Sequence, residues 1–171
     1  ILDKNNNPID VYFKESLSTN HLIEEFMLLA NKTVAKHIGF PTKDAKTFVY
    51  RIHDKPDSDR ISTLNNIVKK FGHSINNDTS DKLTQSINKL LKNVKGKAEQ
   101  QMVETLTIRS MAKAIYTTNN IGHFGLAFKH YSHFTSPIRR YPDLIVHRLL
   151  EQYANGGNSV DKDAIEKICI H

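Results

Sequence analysis

The chain has 171 residues, 39% apolar and 25% charged, the balance of one soluble globular domain with a real core. No stretch approaches the ~18 uninterrupted apolar residues of a membrane span, nothing reads as a secretion signal, and the single cysteine, Cys169, excludes internal disulfides and cysteine-built zinc sites and suits a reducing cytoplasm. Lys and Arg number 24 against 18 Asp and Glu, a net charge of +6. This favours a polyanionic partner, because basic groups displace counterions from phosphates.

Residues 1–13, ILDKNNNPIDVYF, predict a hairpin around an Asn-rich turn. Ser18 or Thr19 can cap a helix in which Leu22, Ile23, Phe26, Leu29, Ala30, Val34 and Ile38 recur at helical spacing. Gly39 and Pro41 stop it. Residues 47–52, TFVYRI, predict a strand with Phe48, Tyr50 and Ile52 on one face. The run 58–71 predicts a helix with Ile61, Leu64, Ile67, Val68 and Phe71 as its stripe, closed by Gly72.

A further helix is expected from Ser80 or Asp81 through Leu90, Leu91 and Val94, ended by Gly96. Another is expected over 97–115, with Met102, Leu106, Ile108, Met111 and Ile115 turned mostly inward. Residues 121–128, IGHFGLAF, read as a strand whose glycines admit a close neighbour. A helix to about Tyr153 follows, broken by Gly156 and Gly157, and a last one starts near Ser159 or Asp161. The fold expected is α+β: predominantly helical, with a few strands that belong to a larger sheet. Ile1 is not an initiator Met, and Cys169-Ile170-His171 ends inside a helical pattern, so the chain reads as a piece of a longer protein.

The segment HFTSPIRRYPDLIVHRLL, 133–150, concentrates chemistry. Ser136 before Pro137 predicts a helix start, a hydroxyl cap followed by proline at the first helical position. Free N–H groups of a first turn attract anions. Arg139 and Arg140 fall in that turn, and a guanidinium forks onto two phosphate oxygens. Pro142 removes a backbone donor and should kink or restart the helix. The alternative is a surface Arg139–Asp143 pair at i,i+4, worth about 0.3–0.5 kcal/mol.

YSHFTSPIRRYPDLIVHRLL, 131–150, resembles the signature near the end of the RNB catalytic domain of the ribonuclease II/R family. NHLIEEFMLLANKTVA, 20–35, resembles that domain's Leu-Ile-Glu-Glu-Phe-Met helix, and VYRIHDKPDSDRISTL, 49–64, its Tyr-Arg-x-His strand. The matches keep the family's order over roughly 10–150 and point to its ribonuclease R branch. The resemblance implies that residues 1–171 are the C-terminal portion of one RNB domain, without a complete second domain, in a 3′→5′ exoribonuclease that releases nucleoside 5′-monophosphates from single-stranded RNA.

Residue by residue, the resemblance puts Arg139 on the catalytic arginine that holds the scissile phosphate. Glu24 falls on a carboxylate lining the active-site channel, its other reading being an exposed helix glutamate. Arg140 steadies the backbone electrostatically. Ser136 is a backbone contact or only a cap. Tyr131 and His133 line the RNA path or pack the turn.

Family hydrolysis uses divalent metal, typically Mg²⁺, held by an aspartate-rich motif upstream of these matches and missing from this sequence. Residues 44–48, DAKTF, echo it, but Thr47 stands where an aspartate is needed. Asp54, Asp57 and Asp59 crowd one loop, but Asp57 or Ser58 reads as a helix cap. His147 sits one turn past Asp143 and can pair with it; His123 reads as structural. The chain is therefore expected to hold no metal itself, to need the missing upstream half of its domain, and to be inactive alone. Strands cut from a larger sheet would also favour self-association. The competing expectation is a non-catalytic helical module that uses its basic face for RNA.

Overall fold

The computed structural model describes residues 1–12, 15–39 and 45–170. Helix α1 spans Ser18–Gly39 and is followed by strand β1, Tyr50–Ile52. Helices α2 (Ser58–Lys69), α3 (Ser80–Val94) and α4 (Gln100–Ser110) come next, then strand β2, Ile115–Thr117. A single 3-10 turn, Phe124–Leu126, precedes α5 (Tyr141–Ala154) and α6 (Lys162–Ile170). Pro41 and Asp44 lie outside the described residues, as does Phe13 of the expected hairpin. The rest of that hairpin is a tight turn closed by one antiparallel bridge, Leu2 to Pro8.

Two cores organise the chain. One joins Ile61, Leu64 and Val68 of α2, Leu83, Ile87, Leu90 and Val94 of α3, and Val103 of α4. These spacings return to one helix face every turn. Asp57 caps α2, its carboxylate accepting from the Asp59 and Arg60 N–H groups, and Thr79 caps α3. Gly72 and Gly96, at φ +78° and +79°, follow these helices in the left-handed conformation that suits a C-terminal stop.

The second core joins Ala35 and Ile38 of α1, Phe48 to Tyr50 and Ile52 around β1, and Ile145, Val146, Leu149 and Tyr153 of α5. Glu166 of α6 accepts from Thr117 Oγ1 at 2.7 Å and the Thr118 N–H at 2.6 Å. It thus latches α6 to the end of β2.

The expected α+β, predominantly helical class holds, and the sheet among the described residues has two strands, β1 antiparallel to β2. Several expectations for single elements are corrected: the helix expected over 97–115 ends at Ser110, and β2 begins at Ile115. His53 donates to the Ala112 carbonyl at 2.8 Å and β1 takes residues 115–117, so tertiary pairing overrides helix propensity. Val103, Thr107 and Ser110 face inward on α4, while Ile108 is exposed. Residues 121–128 form no strand: His123 bridges to His53 and Phe128 around the 3-10 turn. Gly125 does meet a close neighbour, since a Cβ there would stand 3.1 Å from His53 Nδ1. The apolar stripe of α1 divides. Ile38 is buried, but Leu22, Ile23, Phe26 and Leu29 are each more than half exposed.

Candidate functional site

The site is built on residues 131–143, pinned from three sides. From β1, the Arg51 N–H donates to the Tyr131 carbonyl at 2.9 Å. The Ser132 hydroxyl returns a bond to the Val49 carbonyl at 2.6 Å. From α1, buried Asn31 donates through Nδ2 to the Tyr131 hydroxyl at 3.2 Å and accepts the Phe134 N–H on Oδ1 at 2.8 Å. From α5, His147 Nε2 donates to the Phe134 carbonyl at 2.9 Å. Its ring stacks on Phe134 with centroids 4.0 Å apart. Backbone groups that could not find partners in a helix or sheet are thereby satisfied.

Beyond this anchor the chain makes a separate turn. The Arg139 and Arg140 N–H groups donate to the Ser136 carbonyl at 3.2 and 3.0 Å. Asp143, fully buried, accepts on one oxygen from the Ser136 N–H and from Arg140 Nη2, each at 2.8 Å. Helix α5 therefore starts at Tyr141 with Arg140 as its N-cap and Pro142 in its first turn. Ser136 is not its cap, and the N–H groups of Ser136, Arg139 and Arg140 are already engaged. Pro142 restarts the helix, which takes Arg139 off the α5 surface. The residue paired with Asp143 is thus Arg140, not Arg139 or His147.

A buried ion pair is poor evidence for net stability, but removal of one partner is costly, so it fixes one geometry. Asp143 Oδ1, Arg140 Nε and Thr135 Oγ1 are buried without a hydrogen-bond partner among the described residues. The turn thus has capacity for further polar contacts.

This architecture leaves Arg139 exposed. Among the described residues its guanidinium makes one hydrogen bond, from Nη2 to Ser136 Oγ at 3.4 Å. On an exposed side chain its other donors suit a planar two-point contact with an anion. Ile138 beside it is fully exposed.

The remaining residues singled out from sequence divide. Ser136, Arg139 and Arg140 share the turn. Tyr131 is buried, its ring 5.3 to 5.8 Å from those of His123, His133 and Phe128. It adopts the packing arrangement rather than an open one. Glu24 is not brought to the turn by any contact among the described residues; it is exposed and 3.4 Å from His21. It precedes Asn31 by seven residues, two turns or about 10.5 Å along the same face of α1.

His133 shares a 2.7 Å hydrogen bond with the Tyr116 hydroxyl. Burial, reinforced by the Arg140 charge, lowers its pKa to about 4. His133 is therefore neutral at pH 7. Burial raises the Tyr116 phenol, whose ring carries the Arg51 guanidinium 4.5 Å from its centroid.

Sequence reasoning missed Asn31 and the buried role of Asp143. The one available signal for Asn31 was a short polar residue inside a helix stripe that otherwise reads as apolar. Among the described residues no group of three or more His, Cys, Asp or Glu could hold a metal. Asp57 is spent on its cap and Asp54 accepts its neighbour's N–H. The described residues by themselves therefore do not fit a magnesium site.

The RNB domain family matches residues 1–156. Ribonuclease R of Thermotoga maritima is 44% identical over 176 aligned positions, which cover 98% of this chain and 23% of that protein. RNase R of Mycoplasma genitalium, solved in complex with ribose-methylated single-stranded RNA, superposes with a TM-score of 0.78 at 28% identity. That match covers 99% of this chain and 26% of the other. Yeast Ssd1, described as a pseudonuclease, superposes with a TM-score of 0.72 at 26% identity over 88% of this chain and 19% of its own. The chain thus spans about a quarter or less of the length of these relatives. With the signature turn, the Asn31-bearing helix and β1 all inside the matched region, the chain belongs to the RNB domain family.

Proposed function

We propose that this chain supplies the arginine wall of the active site of a 3′→5′ exoribonuclease that releases nucleoside 5′-monophosphates. The observation that carries the reading is Arg139: an exposed guanidinium on a turn held by buried Asp143. In this reading the fork binds two non-bridging oxygens of the scissile phosphate and stabilises the charge that grows there in the transition state. Arg140 stays in the buried pair and holds the turn. Glu24 faces the RNA channel from α1. The carboxylates for divalent metal come from sequence outside this chain, so no metal-dependent step is derived from these residues.

The test is made in the intact protein containing this segment. Arg139→Ala should lower hydrolysis of a single-stranded RNA by about 10²–10³-fold, the effect of removing one preorganised donor, with an unchanged circular dichroism spectrum. The purified 171-residue chain should not digest RNA; robust magnesium-dependent digestion by it would overturn the division of labour. The similarity to a pseudonuclease favours one other reading, an RNA-binding module without catalysis. An intact protein that carries the aspartate motif and binds RNA without cleaving it would establish that reading instead.

A further inference from the structure

We infer a second RNA contact, separate from the arginine turn, in the cleft between the C-terminal half of α1 and residues 127–130. This cleft of about 300 Å³ is lined by Lys32, Lys36, Ala127, Phe128, Lys129 and His130. Phe128 forms part of the lining, with the Lys32 ammonium 4.9 Å from its centroid and the Tyr131 ring 5.8 Å away. Lysines stand on both walls, and none of the described lining residues is a carboxylate. Like charges facing one another across a cleft raise the local potential, which an entering polyanion relieves.

The distribution of acids along the chain strengthens this. From Phe26 to Gly39, and again from Thr105 to Pro142, there is no Asp or Glu. Both walls of the cleft come from those two acid-free stretches. The net charge of +6 is therefore segregated, and part of it gathers at this cleft.

Part of the charge has a local explanation. Lys36 lies in the last turn of α1, where the helix dipole favours cations, and Lys32 rests on an aromatic face. Neither effect accounts for Lys129, which is exposed on the opposite wall. Lys32 directly follows Asn31, and Lys129 lies two residues before Tyr131, so the cleft adjoins the segment that carries the arginine turn. A basic groove with an aromatic lining beside such a turn fits the backbone of single-stranded RNA. The inference rests on the proposal that the turn itself handles RNA.

The experiment uses the 171-residue chain and a fluorescein-labelled, 2′-O-methylated oligouridylate, with anisotropy titrations at several KCl concentrations. K32E/K129E should weaken binding about tenfold or more. It should also flatten the salt dependence by about 1.4 in log–log slope, the release expected from two single-strand phosphate contacts. K89E/K92E, exposed on α3, makes the same change in net charge and should alter affinity less than about twofold, so that only local charge is read. Circular dichroism confirms that each variant is folded.

Equal losses from the two double variants would overturn the cleft, as would no measurable binding by the unaltered chain. Competition by polyglutamate as effective as that by oligouridylate would also overturn it. Arg139→Ala is titrated in parallel. Loss of affinity there, with none in K32E/K129E, overturns the cleft while leaving the arginine reading intact.

Discussion

The α2–α4 core and the 131–143 segment are held together by opposite means. The first is packing: Ile61, Val68, Val94 and Val103 lie at 1% exposure or less on faces set by helical period, and each helix start that has a cap uses a local one. The second is polar: Asn31 of α1 and His147 of α5 reach in to satisfy one irregular stretch, and Arg140 and Asp143 pair within it. Packing tolerates change of detail, whereas a buried polar network is either satisfied or costly. Under the proposed function, Arg139 needs a defined position more than the segment needs stability, which fits a buried ion pair at a place where apolar residues would serve stability as well.

Two variants of similar expected cost test this contrast. Leu90→Ala, in the packed core, should lose about 2–5 kcal/mol in urea unfolding. In the intact protein it should retain per-molecule hydrolysis wherever it remains folded. Asp143→Asn should lose about 3 kcal/mol, the lower end of the range for breaking a buried pair, because Arg140 keeps a quarter of its exposure. In the proposed enzyme it should also lose most of its hydrolysis. If both variants kept activity equally, the polar segment would have no special positioning role.

Asn31→Ala comes next in size. It strands the Phe134 N–H and the Tyr131 hydroxyl, at about 1–3 kcal/mol for buried groups left unpaired. A shift of the urea midpoint smaller than that of an exposed α1 variant such as Lys32→Ala would show that α1 does not hold the segment.

The smallest effect is that of pH. His123 and His133 have folded pKa values lowered to about 4 from an ordinary 6.5, mainly by burial. Between those values the unfolded chain binds more protons than the folded one, so stability falls as pH drops from about 6.5 toward 4. Thermal melting should therefore occur at lower temperature at pH 5 than at pH 7.5, and His133→Asn should reduce the difference. A melting temperature unchanged over that range would contradict the buried, neutral state of both rings.

Much of this was legible from residues alone. The faces of α2 and α3 follow from a period of 3.6, and Asp57 was readable as a cap because capping is local. The signature 131–150 was readable as a family resemblance, and with it the proposal made for Arg139. On the face of α1 the period was read correctly but the burial was not: Leu22, Ile23, Phe26 and Leu29 are exposed. A period says which side is apolar, not whether anything packs on it. The strand read at 121–128 failed for a related reason. Its apolar alternation is real, but His53 draws Gly125 into a turn at 2.9 Å.

Sequence by itself determined the helices with local caps and complete stripes, the excess of positive charge, and the family to which the chain belongs. These depend on neighbours in the chain or on residue order. Tertiary structure alone decided that Arg140 pairs with Asp143 and leaves Arg139 outside. It also decided that Asn31 ties α1 to Phe134 across 103 positions, and that lysines from α1 and residue 129 face one cleft. The last two bring together groups far apart in sequence; the first joins residues only three apart, but Asp143 is fully buried only because the whole chain packs around it.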